Sequence, residues 1–330
     1  MFSNIKASNT CYTTEMILEK KDLAMQLDKT PFVAIYMITY NHGAFIEKAV
    51  ESVMMQQTNF PYKLYIGEDR STDNTREICL SLKEKYSDKM ELFLHEKNVG
   101  AAANARQIFE ACFASGAKYI ALLEGDDYWT DAQKLQKQTD FLEDNSDYVL
   151  CFHKVEILQT DGKIVDDFLT VVPENHETIE DFAHLGNYIH TPSVVFRNII
   201  TALPFEFKEA IIGDFFLYMM LAEHGKLKYI EENMAVYRYG VGVFSNKSLV
   251  KTVKSTNRLF SCLLSYLHED AIKKIILERQ LKAIDVLEET VKNDYEEGFV
   301  LNNKFFRGFK YLLGNIGQPS KIAKKIRSKF

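Results

Sequence analysis

No run of about 20 apolar residues occurs among the 330 of this chain, so a membrane-spanning helix is excluded by length alone. The first 29 residues lack the basic-then-apolar order of a secretory leader, so a cytoplasmic setting is expected rather than export. Five cysteines (Cys11, Cys79, Cys112, Cys151, Cys262) are scattered with no CxxC pair, which argues against a zinc site and a disulfide framework and suits reduced thiols. A net charge of -6 excludes strong general affinity for nucleic acid. There is no internal repeat and no low-complexity tract. Gly240-Val-Gly242 lacks the third glycine and the strand-helix context of a dinucleotide fingerprint. His42, His153 and His190 share no ligand spacing and read as structural or supporting groups.

What is present is ordinary globular composition, 46% apolar and 26% charged, with one unusual stretch. Tyr119-Ile-Ala-Leu-Leu rises without alternation into Glu124-Gly-Asp126-Asp127-Tyr-Trp129. Such a run reads as a strand buried on both faces that delivers three carboxylates to the carboxyl edge of a sheet, where open α/β sheets hold ligands. Three acids within four residues repel one another, and hard oxygen ligands of this kind suit Mg2+ or Mn2+. A polar turn before a helix capped by Asp131 explains the same spacing. Both readings stand at this point.

The chain before this stretch alternates strands and helices. Phe32 to Ile38 reads as a strand, followed by the loop Thr39-Tyr40-Asn41-His42-Gly43 and a helix with Phe45, Ile46, Ala49, Val50 and Val53 inward. Tyr62 to Ile66 is the next strand. It ends in Glu68-Asp69-Arg70-Ser71-Thr72-Asp73-Asn74-Thr75, where Ser71 or Asp73 can cap a helix. Met90 to His95 is the third, and Asn98-Val-Gly100 turns it into a helix of small residues from Ala101 to Arg106. Alternation of this kind predicts an α/β fold with a mainly parallel, doubly wound sheet.

After Trp129 the spacing predicts a helix over Ala132–Asn145, a strand pair over Tyr148–Leu158 and Lys163–Val165, and a strand over Ser193–Phe196. A strongly apolar helix over Phe215–Glu223 and short strands over Leu227–Ile230 and Ala235–Arg238 follow, while Phe168 to Asn187 has no clear period. Helical patterns dominate from Leu249 to about Val300, with Leu259, Leu263, Leu264 and Leu267 on one side. A short helix over Thr14–Leu27 precedes the first strand. The expected division is therefore a helical segment over 1–30, a main domain over 31–248 and a helical extension over 249–330.

Three loops would meet at one sheet edge, with Tyr40 stacking on a base, Asp69 accepting from a base N–H, and the acidic loop holding a metal-bound diphosphate. Met37-Ile-Thr-Tyr-Asn-His42, Gly67-Glu-Asp-Arg-Ser-Thr-Asp-Asn-Thr75, Asn98-Val-Gly100 and Glu124-Gly-Asp-Asp-Tyr-Trp129 resemble, in order and spacing, the successive motifs of family 2 glycosyltransferases. The likeness runs from about Phe32 to Ser245. It implies a GT-A fold, a nucleotide-diphosphate sugar donor with UDP favoured, a divalent cation, and inverting transfer to a saccharide acceptor, free or lipid-linked, in bacterial surface-polysaccharide synthesis. On that likeness Thr39, Tyr40, Asn41, Glu68, Asp69, Asn98, Gly100 and Asp126 bind the nucleotide sugar. Asp126 and Asp127 are the metal ligands, with Glu124 a further candidate in place of the commoner aspartate.

Inversion by one displacement needs a base opposite the departing diphosphate. Sequence pattern favours Asp214 as a helix cap, but Gly213-Asp-Phe-Phe-Leu217 resembles the segment that presents the base, and Asp214 is assigned on that likeness. Val236 to Ser245 resembles a donor-covering segment without the histidine that relatives often carry near Gly240. Arg238 is the candidate phosphate contact there. Trp129 either packs under the acidic loop or forms an acceptor platform. From Asn302 to Phe330 there are eight basic residues and no acids, leaving 32 against 46, or -14, on the rest. An anionic membrane surface is one reading of this tail, giving peripheral attachment to the inner face; a solvated basic helix is the other. Competing functions are a sugar nucleotidylyltransferase, which needs a Gly-rich basic loop that Thr39–Gly43 is not, and a non-enzymatic carbohydrate- or nucleotide-binding module.

Overall fold

The computed structural model describes residues 30–210, 212–241 and 249–296. The expected helix over Thr14–Leu27, the end of the donor-covering segment and the basic tail lie outside the described residues. Two compact units divide the chain, and they are not consecutive along it.

The first unit holds the described residues up to Thr178, Tyr188–Leu203, and the stretch beginning at Leu221. Its elements are β1 (Val33–Thr39), α1 (Ile46–Met54), β2 (Tyr62–Glu68), α2 (Thr75–Lys85), β3 (Met90–Leu94), α3 (Ala101–Ala114), β4 (Tyr119–Leu122), β5 (Tyr128–Trp129), α4 (Lys134–Asp144), β6 (Tyr148–Leu158), β7 (Ile164–Asp166), β8 (Val195–Arg197) and β9 (Lys226–Arg238). Among the described residues these strands form one sheet in the order β3-β2-β1-β4-β8-β6-β9-β5, with β7 on β6. The first four are parallel. Beyond β4 the sheet is mixed: β8 is antiparallel to β4 and β6, β5 is antiparallel to β9, and β6 and β9 are parallel.

Both faces of the parallel half are covered, which is why β1 and β4 read as unbroken apolar runs. Alternate residues Val33, Ile35 and Met37 pack with Ile46, Ala49, Val50 and Val53, which recur on α1 at the spacing of one helix face. On the other face Tyr36 stacks on Phe109 of α3, ring centroids 4.2 Å apart. Each fully buried aliphatic side chain contributes about 1.5–3 kcal/mol, so a charge at Val50 would break the α1 contact.

Two elements differ from the sequence reading. The two short strands expected around Glu231-Glu232-Asn233 are one strand, β9, whose polar middle stands exposed where its register against β6 shifts between His153 and Val155. A bulge accommodates the polar residues without ending the strand. The two residues of β5 are too short for any periodicity; pairing with β9 creates them. The aperiodic stretch after Phe168 contains a helix, described next.

The second unit comprises Ile179–Asn187, Pro204–Met220 and the described residues after 248. It contains α5 (Ile179–Leu185), α6 (Phe205–Glu209), α7 (Gly213–Ala222, whose last two residues belong to the first unit), α8 (Leu249–Tyr266) and α9 (Asp270–Glu296). Phe215 to Leu221 of α7 are all buried, as a helix apolar all round requires. Phe216 packs against Phe207 and Tyr266, and Phe215 against Phe182. Leu259, Leu263 and Leu267 are buried and Leu264 is half-buried. Arg279 Nη1 donates to Ala183 O at 2.7 Å, and a Cβ on Gly186 (φ +91°) would lie 2.6 Å from the same guanidinium. The positive φ is what favours glycine there.

Candidate active site

Because β1, β2 and β4 are parallel, the loops after them leave from one sheet edge. Asp69 N–H donates to Thr39 O, and Gly125 N–H to Ile38 O, each at 3.1 Å, so the three loop origins are joined through backbone hydrogen bonds. The loop after β1 is then laced to the loop after β2. Asn41 N–H donates to Ser71 Oγ (3.0 Å), Thr72 N–H to Asn41 Oδ1 (2.8 Å) and Gly43 N–H to Asp73 Oδ2 (3.0 Å). Asn41 and Arg70 adopt positive φ, 55° and 57°, to make these turns. Tyr40 stands with 41% of its surface exposed, free to offer a ring face.

The acids after β2 are bound by the protein's own donors. Glu68, fully buried, accepts from Ser71 N–H and from Arg76 Nε, and Arg76 Nη2 reaches His95 O at 2.6 Å. Asp69 accepts from Val99 N–H (2.7 Å) and Gly100 N–H (2.8 Å), while Asn98 Nδ2 donates to Asp69 O (3.2 Å). Gly100, at φ +85°, has open space where a Cβ would stand and begins α3. Asn104 of α3 donates to Gly67 O at 2.8 Å, an approach that a Cβ on Gly67 would block at 2.0 Å.

The acids after β4 are arranged differently. Glu124, Asp126 and Asp127 each bring a carboxylate oxygen within 4.8 Å of the others. Asp126 and Asp127 are buried and Glu124 is half-buried. Asp127 Oδ1 accepts from Arg238 N–H at 2.7 Å, but its Oδ2 is buried with no hydrogen-bond partner. Burial, then the charges of Asp126 and Glu124, push the Asp127 carboxyl well above the ordinary carboxylate range. Carboxylate oxygens clustered this closely match the requirements of Mg2+ or Mn2+, and the orphaned Oδ2 is the kind of atom such an ion satisfies.

Around this cluster Thr39 Oγ1 and His42 Nδ1 are also buried without hydrogen-bond partners, and His42 Nε2 lies 4.0 Å from Asp126 Oδ2. Burial holds the His42 imidazole below its ordinary pKa, although the Asp126 charge opposes that. A Cβ on Gly125 would meet Thr39 Oγ1 at 2.7 Å and His42 Nδ1 at 3.0 Å, so only glycine lets these groups converge. Arg238 Nε donates to Asp126 O at 2.9 Å, and its guanidinium lies 4.2 Å from the Phe45 ring centroid.

Trp129 is 1% exposed. Its N–H donates to Ser52 Oγ (3.1 Å), its Nε1 to Pro192 O (2.9 Å), and the Lys134 amine sits 4.2 Å from its ring. It packs beneath the acidic loop and offers no platform. Lys134 is itself fully buried with no hydrogen-bond acceptor, and burial brings its pKa down to about 7.

In the second unit Asp214 lies in the first turn of α7. Its Oδ1 accepts from Phe215 N–H and its Oδ2 from Asn187 Nδ2, both at 2.8 Å. The side chain is half-buried.

Residues 34–203, just over half of the chain, match the model of glycosyl transferase family 2. The chain belongs to this family. An uncharacterized protein of Mycobacterium tuberculosis is 32% identical over 208 residues, 62% of this chain and 58% of the relative. A Bacillus subtilis protein provisionally named the teichuronic acid biosynthesis glycosyltransferase TuaG is 33% identical over 139 residues, 42% of this chain and 52% of its own. The chain thus spans little more than half the length of these relatives. Staphylococcus aureus TarS, solved with UDP-GlcNAc, superposes with a TM-score of 0.58 at 16% identity, covering 82% of this chain and 76% of TarS. The mannosyltransferase PcManGT of Pyrobaculum calidifontis, solved with GDP-Man and Mn2+, gives 0.55 at 13% identity over 94% and 91%. The fold is the GT-A fold that the motif order implied.

Of the residues expected at the site of this family 2 chain, Thr39, Tyr40, Asn41, Glu68, Asp69, Asn98, Gly100, Glu124, Asp126, Asp127 and Arg238 gather on one edge of the first unit. Asp214 is described in the second. His42 was passed over for want of a ligand spacing. The usable signal was its place three residues past a buried strand, in the same loop as Tyr40. Arg76, which holds Glu68, gave no signal, because an arginine on an exposed helix turn looks like any other.

Proposed function

We propose that this chain transfers a sugar from a nucleotide-diphosphate donor to a saccharide acceptor, with a divalent cation held by Asp126 and Asp127 and assisted by Glu124. The observation that carries the proposal is the buried three-carboxylate cluster with its unpartnered Asp127 Oδ2, set at the sheet edge beside the exposed Tyr40. Similar folds solved with UDP-GlcNAc and with GDP-Man and Mn2+ support both the donor class and the cation. TuaG supports a bacterial surface polysaccharide as the setting. A bound cation would neutralise the diphosphate and ease its departure.

The chain's own residues do the rest. Tyr40 offers its ring to the base. Asp69 keeps lone pairs for a base N–H beyond those given to Val99 and Gly100. Glu68, buried and bound to Arg76, shapes the loop rather than touching the donor. His42 supports Asp126, and Arg238 fixes the acidic loop from the far side while presenting positive charge to phosphate. Asp214 takes the proton of the acceptor hydroxyl, its orientation held by Asn187, and transfer inverts the anomeric centre. No described helix is long and apolar enough to cross a membrane.

Calorimetric titration of UDP- and GDP-sugars with and without Mn2+ tests the reading. One donor should bind with Mn2+, and Asp126→Ala should weaken it by about 100-fold or more. Asp214→Asn should leave donor affinity intact and slow transfer by about 100-fold or more. Absence of any metal-dependent donor binding ends the proposal, and equal loss of binding in both variants removes Asp214 from the role of base.

A further inference from the structure

Two hydrogen bonds orient the Asp214 carboxylate: Asn187 Nδ2 donates to Oδ2 and Phe215 N–H to Oδ1. A single side chain from the helical extension, Arg279 of α9, reaches the supports of both donors. Its Nη1 donates to Ala183 O in the last turn of α5 at 2.7 Å, and its Nη2 lies so near Gly186 that a Cβ added there would stand 2.6 Å away. Gly186 closes α5, its N–H donating to Phe182 O at 3.1 Å, and the next residue is Asn187. The same guanidinium also meets rings, with Cζ 5.6 Å from the Phe215 centroid and 5.1 Å from that of Phe260. Both rings are buried and Arg279 is half-buried.

An arginine that serves solubility keeps its charged head in water. Here the planar cation is spent on a backbone carbonyl and two aromatic rings, contacts that fix its place. A cation at the carboxyl end of a helix also suits the helix dipole, so it steadies α5 where Gly186 and Asn187 leave it. A contact made only to hold α9 could fall anywhere along α5. This one falls on the residue before the first donor and on the ring of the second. Such support bears on rate, because misplacing a reacting group by about 1 Å costs on the order of 100-fold.

We propose that Arg279 is a positioning residue for Asp214, holding Asn187 through the α5 turn and Phe215 through its ring, so that the helical extension completes the catalytic unit. The inference rests on the reading of Asp214 as the base and adds what keeps that base in place. Arg279 touches no reacting atom in this scheme; it acts through the two residues that bind the carboxylate.

Arg279→Met and Arg279→Lys in the full chain test it, with far-UV circular dichroism to check folding. In a crystal structure of Arg279→Met the Asn187 Nδ2 to Asp214 Oδ2 separation should exceed about 3.5 Å, while the lysine variant, with a donor for Ala183 O and a cation at the rings, should keep the bond. Nucleotide release is then followed from UDP-glucose, UDP-galactose, UDP-N-acetylglucosamine and GDP-mannose, with Mn2+ and methyl glycosides as acceptors. Arg279→Met should lower kcat about ten-fold or more at unchanged donor KM, and Arg279→Lys should recover part of the loss. In an Asp214→Asn background the methionine change should cost no further rate, because nothing is left to position. If methionine prevents folding, Arg279→Gln takes its place with the same expected outcomes. A further ten-fold fall in the Asp214→Asn background, or Asn187 still bound to Asp214 without Arg279, overturns the positioning role. Full activity of Asp214→Asn alone overturns the base assignment, and the inference with it. No nucleotide release by the unaltered chain with any of the four donors overturns the transferase reading instead.

Discussion

Two loops leave neighbouring parts of one sheet edge, and each carries three acids. After β2, Glu68, Asp69 and Asp73 are answered by Ser71, Arg76, Val99, Gly100, Gly43 and Thr75, so each has at least two protein donors. After β4, Glu124, Asp126 and Asp127 face one another within 4.8 Å, and Asp127 Oδ2 is buried with no donor. Composition barely distinguishes the loops. What separates them is where the hydrogen bonds go: the first loop is finished with protein donors at Glu68 and Asp73, and the second is unfinished at one buried oxygen, Asp127 Oδ2. The buried oxygen left without a donor is what marks the second loop as the candidate site.

Changes on the finished side should cost the most stability. Glu68→Ala leaves Arg76 without its buried carboxylate and should lower unfolding free energy by about 3–5 kcal/mol, measured by urea denaturation, with the same loss in the presence or absence of Mn2+. A loss under about 1 kcal/mol would mean the loop's saturation is incidental.

Lys134 sharpens the contrast, since it is a buried cation that also lacks an acceptor but can shed its charge. Its folded pKa of about 7 lies below the unfolded value of 10.5, so between those limits the unfolded chain binds more protons and stability rises with pH. Below about pH 7 the burial penalty is fully present. Lys134→Met should therefore stabilise the protein at neutral pH and flatten stability against pH, between about 7.5 and 9.5, by about 1.4 kcal/mol per unit. Equal slopes in the two proteins would place the amine in a protonated, satisfied state.

The smallest effect belongs to the unfinished side, and its sign is the test. Asp127→Asn keeps an acceptor for Arg238 N–H while removing one of three crowded charges. Without metal it should raise stability by about 1 kcal/mol in a thermal melt, and it should abolish the further rise that Mn2+ gives the unaltered chain. A metal-free variant less stable than its parent would show that the cluster is already satisfied within the protein.

Much of the first unit was legible because its signals are local. Tyr119 to Leu122 could be read as a two-faced strand from an unbroken apolar run, and Ile46, Ala49, Val50 and Val53 gave α1 from spacing alone. The split expected in β9 failed for a related reason. Glu231-Glu232-Asn233 interrupts the pattern, and no local rule shows that β6 will shift register to absorb it. The contacts of Asp167 with His190 and of Phe168 with Tyr239 were not legible at all. These residues come from three separate stretches with no shared period.

The chain's order of residues determined the strand-helix rhythm, the parallel half of the sheet and the identity of the acids at its edge, because burial periodicity and turn chemistry act over a few residues. Tertiary structure decided which carboxylate oxygens are answered and that Asp127 Oδ2 is not, because hydrogen-bond partners such as Arg76, Val99 and Gly100 arrive from other elements. It also settled Trp129 as a buried support, since Ser52, Pro192 and Lys134 enclose it from three separate parts of the chain.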